Sequence, residues 1–509
     1  MMKQHGCMGA VALIAGMAAL AWAGPEAVLN VEKPAPSRGT PAVFKFGGED
    51  NQEFMLNGKP FQIRGAEMHP QRIPREYWRH RIRTARAMGL NTIAFYVFWN
   101  DHEQPDGSFD FKTGNRDLAA FLKLCQEEGM WVLFRPGPYV CGEWDLGGLP
   151  HYLLKDPKAK LRTTEDAKFM KAQARYLEAV ARVAEPFLAK NGGPILMTQL
   201  ENEYGSYQRK DPKYMEWLKT FWTRKGFGPF YTSDGAGEHY LKGVTLPGVA
   251  VGLDPGLNDG HWKIANKCNP GVPVFSSETY PGWLRHWGEG NWNPTPEIVD
   301  HVRWFMDKGR SFSLFVFHGG TNFGFTAGAN NGGPGQYQPD LTSYDYGSPV
   351  DEHGRMNEYY TRMREIILAK LPAEAAVPEP PADIPSMEIP EFTPEVHAGL
   401  WENLPRPFRS KFPQPPYFEQ WNQNQGMAIY ITAVPAGPSE TLELSSASDY
   451  AQVYLNGELI GTLDRRLGQK SLVLPERKKP GTLEILVEPW AISISTSAWR
   501  ATARDCTAP

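Results

Sequence analysis

The sequence predicts an α/β fold, a (β/α)8 barrel, followed by a smaller all-β module. Three observations lead there. From about residue 45 apolar runs of strand length alternate with amphipathic helical stretches, as a parallel sheet requires. Eight such runs can be counted, the number that closes a barrel. Beyond a proline-crowded stretch the helical periodicity stops and alternating, β-branched segments take over.

The eight candidate strands are 61–68, 92–99, 131–139, 195–202, 229–234, 248–253, 272–277 and 312–318, the fifth and sixth being the weakest signals. The helices between them are marked by their ends. From Asn115 to Glu128 the residues Leu118, Phe121, Leu122 and Cys125 fall on one helical face, and Gly129 stops the pattern. Asp211-Pro212 reads as an N-cap with proline in the first turn, and Tyr214, Trp217, Leu218, Phe221 and Trp222 form the buried stripe before Gly226. Pro74 opens another helix, which Gly89 closes. Residues 372–394 hold Pro372, Pro378, Pro380, Pro381, Pro385, Pro390 and Pro394 among acidic residues, the composition of an extended spacer. After it, 428–433, 441–444, 451–455 and 483–487 read as strands, with Asn456-Gly457 as a hairpin turn.

Chemistry enters at the fourth strand. The run Ile195–Leu200 ends in Glu201-Asn202-Glu203, and carboxyls at the end of a buried strand are costly unless used or paired. Strand alternation would point Glu201 and Glu203 to one face and Asn202 to the other. The seventh strand repeats the plan: 272–277 leads into Glu278, then Tyr280 and Trp283. A barrel brings both strand ends to one face. Two carboxyls among aromatics are what a retaining glycosidase needs, one acid to protonate the leaving oxygen and one nucleophile about 5–5.5 Å away. The alternative is a pair of surface salt bridges.

The motifs resemble the family 35 β-galactosidases. They are G-G-P-I-L-M-T-Q-L-E-N-E-Y-G ending at Gly205, R-P-G-P-Y-V-C-G-E-W-D-L-G-G-L-P over 135–150, S-E-T-Y-P-G-W-L-R-H-W-G over 277–288, F-H-G-G-T-N-F-G over 317–324 and T-S-Y-D-Y over 342–346. They stand in family order across most of residues 45–370. The resemblance implies Glu203 as general acid/base and Glu278 as nucleophile. It implies Asn202 on the sugar 2-hydroxyl, Gly142 and Glu143 on galactose hydroxyls, and Tyr96 and Tyr346 as further sugar contacts. Trp283 would be a wall of the pocket, and Tyr280 could donate to the nucleophile. The activity implied is a retaining exo-β-galactosidase acting on terminal β-galactose of oligosaccharides or plant polysaccharide side chains, with no cofactor. The same machinery could act on another β-linked sugar such as glucosamine or glucose, and a sugar-binding protein without turnover is a third reading. Ala66, Pro70 and Phe325 depart from the family pattern and bear on leaving-group preference.

The remaining features set the context. Lys3 and His5, the apolar run from Met8 to Leu20 and Ala21-Trp22-Ala23 form a signal-peptide pattern over 1–23, shorter than a membrane span, so export to the periplasm or medium is expected. A net charge of −4 gives no reason to expect a nucleic-acid or anionic-membrane partner. Cys125, Cys141, Cys268 and Cys506 lack metal-ligand spacing. The domain plan is thus 45–371 for the barrel, 372–394 for the linker and 395–489 for the β-module, whose stretch Asp449 to Arg465 resembles the jelly-roll-like, galactose-binding-like module of the family, which is mainly structural there. From Trp490 the residues depart from the family pattern. Restoring one base after Pro489 lets 490–495 be reread as M-G-x-I-N-F and 502–509 as D-R-K-G-L-H-G-P, so 490–509 reads as a frameshifted or truncated tail.

Overall fold

The structure, a computed structural model, describes residues 30–35, 39–290, 295–331, 336–407, 409, 415–444 and 447–494. The signal-peptide pattern, and the tail from Ser495 with Cys506, lie outside the described residues.

A small antiparallel sheet, β1 (Phe44–Gly47), β2 (Glu53–Leu56) and β3 (Lys59–Pro60), precedes the barrel. It plugs the lower end of the barrel: Phe54 sets its ring against Phe275 at 5.6 Å. The barrel strands are β4 (Arg64–Met68), β5 (Thr92–Tyr96), β6 (Trp131–Arg135), β7 (Ile195–Gln199), β8 (Phe230–Gly235), β9 (Ala250–Asp254), β10 (Val274–Thr279) and β11 (Phe312–His318). All pairs are parallel, and β11 closes on β4. Every predicted strand is present. The first begins later than expected, at Arg64, and the second, third and fourth stop three or four residues early, because the chain leaves the ladder after Tyr96, Arg135 and Gln199 to build the upper face. Gly65 shows how closely the strands approach: a Cβ there would lie 2.5 Å from Ser313 Oγ on the neighbouring strand.

Helices α1 (Trp78–Ala87), α2 (Leu118–Glu127), α3 (Ala167–Ala184), α4 (Pro212–Arg224), α5 (Asp259–Cys268), α6 (Ile298–Asp307) and α7 (Glu358–Leu368) surround the sheet. α2 begins later than its periodicity suggests. Residues Gly114–Arg116 form a 3-10 turn, and Asp117 then caps the helix by accepting from Ala120 N at 3.0 Å, a contact worth about 1 kcal/mol. α1 is likewise preceded by a 3-10 turn at Arg75–Tyr77, so Pro74 lies outside it. Asp211 caps α4 as expected, accepting from Lys213 N at 3.0 Å. Phe121, Tyr176, Tyr214, Leu218 and Trp222 are fully buried between helices and sheet. Side chains of this size each gain about 1.5–3 kcal/mol on burial.

Residues 372–394 carry neither helix nor strand. Beyond β11, two short strands, β12 (Ala329–Asn331) and β13 (Tyr337–Pro339), pair antiparallel, and the β-module contains a four-stranded antiparallel sheet in the order β14 (Ala428–Val434), β19 (Gly481–Glu488), β16 (Tyr450–Leu455), β17 (Glu458–Asp464). β15 (Glu440–Glu443) pairs with β18 (Ser471–Leu474) as a second layer. Asn456 and Gly457 make the β16–β17 turn, both at positive φ, the requirement of the tight hairpin.

Packing continues past residue 489. Ile492 is 1% exposed, its N–H donates to Asp145 Oδ1 at 2.6 Å, and Tyr139 Oη donates to Ile494 O at 2.9 Å. Residues 490–494 therefore brace the loop that follows β6, the loop that carries Gly142 and Glu143. Cys125, Cys141 and Cys268 are free thiols. No helix among the described residues is long and apolar enough to cross a membrane.

Candidate active site

The upper face of the barrel gathers the predicted residues. Tyr96 ends β5, Gly142 and Glu143 follow β6, Asn202 and Glu203 follow β7, and Glu278 lies on β10 with Tyr280 and Trp283 just beyond. Tyr346 comes from the loop after β11.

The expected alternation at the end of β7 fails. The strand stops at Gln199, and Glu201 and Glu203 both take left-handed backbone, with φ of 61° and 46°. Asn202 and Glu203 thus face the same side, Asn202 Nδ2 lying 3.3 Å from Glu203 Oε2. Glu201 turns away and receives both arms of Arg162, at 2.8 Å from Nε and 2.5 Å from Nη2, while Nη2 also donates to Asn202 O. The pair is buried, and removing one partner of such a pair costs about 3–5 kcal/mol. The left-handed residues cost about 1–3 kcal/mol each, so Arg162 is what holds the turn open. Gly205 N donates to Asp234 Oδ1 at 2.6 Å and fixes the far side.

Glu278 is the centre of the site. Arg135 Nη2 donates to its Oε1, Tyr96 Oη to the same oxygen at 3.2 Å, and Tyr280 Oη to Oε2 at 2.9 Å. Tyr280 Oη thus lies within hydrogen-bond reach of the Glu278 carboxyl. Arg135 also binds Glu67, Gln199 at 2.5 Å and Asn202 Oδ1 at 2.9 Å, and its guanidinium lies 4.1 Å over the Tyr96 ring. Behind it, Arg72 Nη1 meets His69 Nδ1 at 2.8 Å. Arginine only donates, so Nδ1 accepts and His69 Nε2 carries the proton toward Glu67 Oε1 at 3.2 Å. Burial and the two arginines hold this imidazole well below its usual pKa, and therefore neutral.

Glu203 is raised above the ordinary glutamate range by burial and then by the charge of Glu278. Hydrogen bonding with Asp254 and Cys141 acts the other way. Glu143 is buried, accepts from Tyr344 Oη and is pushed up to about 7 by burial. Gly142 takes φ +58, and its carbonyl accepts from Arg72 Nη2 at 2.5 Å. A Cβ at Gly142 would meet the Tyr96 ring at 3.2 Å. Trp283 is 55% exposed at the rim, edge-on to Tyr280 at 5.3 Å and tilted against Tyr346 at 5.9 Å. Tyr346 is buried beside Tyr280, at 6.2 Å. Of the departures, Ala66 and Pro70 are buried and Phe325 is 52% exposed.

Sequence reasoning missed Arg135, Glu67, His69, Arg72, Tyr344 and Asp254. The signal was present for two of them: Arg135 and Asp254 are charged residues ending apolar strands, the same cue that exposed Glu203 and Glu278.

This many buried acids make stability depend on pH. Burial raises Asp234 to about 8, and Glu67 and Glu143 to about 7. Each folded pKa lies above its unfolded value, so between about pH 4 and 8 the folded state binds more protons than the unfolded chain. Stability is fully present below the unfolded pKa and falls as pH rises through the folded ones. Thermal unfolding should show a higher Tm at pH 5 than at pH 8; an equal or higher Tm at pH 8 would contradict these assignments.

The model of the family described as glycosyl hydrolases family 35 matches residues 53–370, and that of the first all-beta domain of beta-galactosidase matches 415–490. A beta-galactosidase of Xanthomonas manihotis is 38% identical over 456 residues, covering 88% of this chain and 75% of that one. The beta-galactosidase of Macaca fascicularis is 36% identical over 471 residues, 89% of this chain and 67% of its own length. The human beta-galactosidase-1-like protein 3 is 35% identical over 450 residues, 87% of this chain and 67% of its own.

Proposed function

The chain belongs to family 35 of the glycosyl hydrolases, and on that premise we propose that it hydrolyses terminal β-D-galactosides with retention of configuration. Glu278 is the nucleophile and Glu203 the general acid/base. One observation carries the assignment: the two carboxyls share a site but have opposite surroundings. Glu278 is paired with Arg135 and receives two tyrosine hydroxyls, whereas Glu203 faces the charge of Glu278 and carboxyl and thiol neighbours. Environments that push two carboxyls apart separate a proton donor from an ionised nucleophile.

Glu278 attacks the anomeric carbon while Glu203 gives its proton to the leaving oxygen. Water then enters, Glu203 takes its proton, and the ester to Glu278 breaks. Asn202, fixed by Arg135 and by Gln199 Nε2 at 2.7 Å, is placed for the sugar 2-hydroxyl. Glu143 reads the galactose hydroxyls, Tyr96 and Tyr346 line the pocket, and Trp283 stacks on the sugar at the rim.

The test is proton NMR of the wild type with 4-nitrophenyl β-galactoside: β-galactose should appear before mutarotation, and initial α-galactose would overturn the roles. The sugar reading has its own test. Glu143→Gln removes a charged acceptor and should lower kcat/KM for the galactoside about 10–100-fold. The galactoside-to-glucoside ratio should shrink with it; an unchanged ratio would show that Glu143 does not read the sugar.

We also place the enzyme outside the cytoplasm, in the periplasm or medium, on the signal pattern of residues 1–23. N-terminal sequencing of protein from those fractions should begin at Gly24, and retention of Met1 in a cytoplasmic fraction would refute it.

A further inference from the structure

The site holds one carboxyl for which a two-glutamate mechanism has no role. Asp254 is the last residue of β9, which pairs with β8 on one side and with β10, the strand that carries Glu278, on the other. Its Oδ1 is hydrogen-bonded to Tyr280 Oη, and that same Oη lies 2.9 Å from Glu278 Oε2. The Asp254 carboxyl is also hydrogen-bonded to Glu203. The groups facing it are therefore Glu203 from the loop after β7, Glu278 and Tyr280 from β10 and its loop, and Tyr346 from the loop after β11.

Counting hydrogens fixes the state of this chain. Tyr280 Oη has one hydrogen and two carboxyl oxygens within hydrogen-bond reach. If both carboxyls were ionised, one close oxygen–oxygen contact would hold no proton and would repel. Glu278 is ion-paired with Arg135, so the extra proton belongs to Asp254. Burial and the charges of Glu278 and Glu203 push the Asp254 carboxyl well above its ordinary range, which agrees with that count. In the resting enzyme Glu203 then donates to Asp254, Asp254 donates to Tyr280, and Tyr280 donates to Glu278.

We propose that Asp254 is a protonated positioning residue that reverses its hydrogen bonds as negative charge passes from Glu278 to Glu203 during turnover. The proposal rests on the assignment of those two glutamates. In the first step the Glu278–C1 bond forms, the C1–leaving-group bond breaks, and the Glu203 proton goes to the leaving oxygen. Glu278 has become a neutral ester and no longer needs the Tyr280 hydrogen. Glu203 has become a buried carboxylate and needs a donor. A half-turn of the Asp254 carboxyl carries its proton to face Glu203, and the Tyr280 hydroxyl rotates to donate to the oxygen that replaces it. Asp254 and Tyr280 each keep their proton throughout; the one proton that departs is the one Glu203 gives to the leaving oxygen. In the second step Glu203 takes a proton from water as the water oxygen bonds to C1, the ester opens, and the resting pattern returns. Without the donor, Glu203 would recapture a proton from solvent at the intermediate and could not act as base.

The experiment compares Asp254→Asn, Asp254→Ala and Tyr280→Phe with the wild type. An amide has one donor and one acceptor end and can make the same half-turn, so Asp254→Asn should keep kcat within about fivefold. Asp254→Ala and Tyr280→Phe break the chain. With 2,4-dinitrophenyl β-galactoside their kcat should fall on the order of tenfold or more, with KM falling in parallel, and a galactosyl-enzyme should accumulate by mass spectrometry. Asp254→Asn as impaired as Asp254→Ala would mean that a charge is required, and would overturn the proposal. Equal losses in kcat and kcat/KM without an intermediate would overturn it too. If Asp254→Ala does not fold, the other two variants decide. A wild type inactive on β-galactosides would defeat the functional reading; an active wild type with the wrong variant pattern would defeat the relay alone.

Discussion

Replacing Glu278 by glutamine is expected to lower kcat by at least about 10⁴-fold while leaving a folded protein that still binds galactose. The amide matches the carboxylate in size and keeps an oxygen that can accept from Arg135 and from Tyr96, now 3.2 Å from Oε1. What it loses is the charge that attacks the anomeric carbon. The structural cost is modest: Arg135 retains Glu67, Gln199 and Asn202, so its charge stays compensated and the variant loses about 1–3 kcal/mol. A mechanism-based label such as 2-deoxy-2-fluoro-galactosyl fluoride should add one sugar to the wild type at the peptide containing Glu278 and nothing to the variant. Residual turnover above about 1% of wild type, or a label on another residue, would remove Glu278 from the nucleophile role. Arg135 is the reason a single charge change has so large an effect on rate and so small a one on the fold. It ends β6, is 1% exposed, and ties together side chains from β4, β7 and β10.

That hub also marks where the sequence stopped being legible. The eight strands announce themselves through local patterns, because a strand buried on both faces must be apolar along its length. Helix ends are equally local: Asp117 and Asp211 are caps that act within three residues. The two candidate glutamates were visible because acids at the ends of buried strands are rare. What stays hidden is contact between distant positions. Arg135 meets Glu278 across 143 residues and Glu67 across 68, and no spacing rule encodes those distances. The direction of Glu201 was mistaken for a related reason. The left-handed turns at Glu201 and Glu203 are held by Arg162, a residue about forty positions earlier that local propensity does not link to them. Asp254 carried the same end-of-strand cue as the glutamates but lay on one of the two weakest strand signals, and its role depends on Tyr280 being shared with Glu278.

Glu203→Ala should have an effect that depends on the leaving group, and this dependence is what distinguishes an acid/base from a residue that merely binds. Substrates whose leaving oxygen is a poor one, such as lactose or an alkyl galactoside, need the proton and should lose on the order of 10³–10⁴-fold in kcat/KM. A 2,4-dinitrophenyl galactoside leaves as a stable anion, so its first step should proceed within about tenfold of wild type. Its second step then waits for an unassisted water, and galactosyl-enzyme accumulates. Azide needs no base and fits the space left by the side chain, so it should restore turnover and give β-galactosyl azide, with the configuration that retention demands. The pH profile follows from the same charge arrangement. Burial and the neighbouring charge of Glu278 raise Glu203, so the acid stays protonated beyond the ordinary glutamate range. The alkaline limb of kcat/KM in the wild type reports its ionisation, and with the dinitrophenyl substrate that limb should disappear in Glu203→Ala. Uniform losses across all leaving groups, or no azide product, would mean that Glu203 holds the site together and another of its carboxyls moves the proton; Asp254, hydrogen-bonded to Glu203, would then be the first to replace.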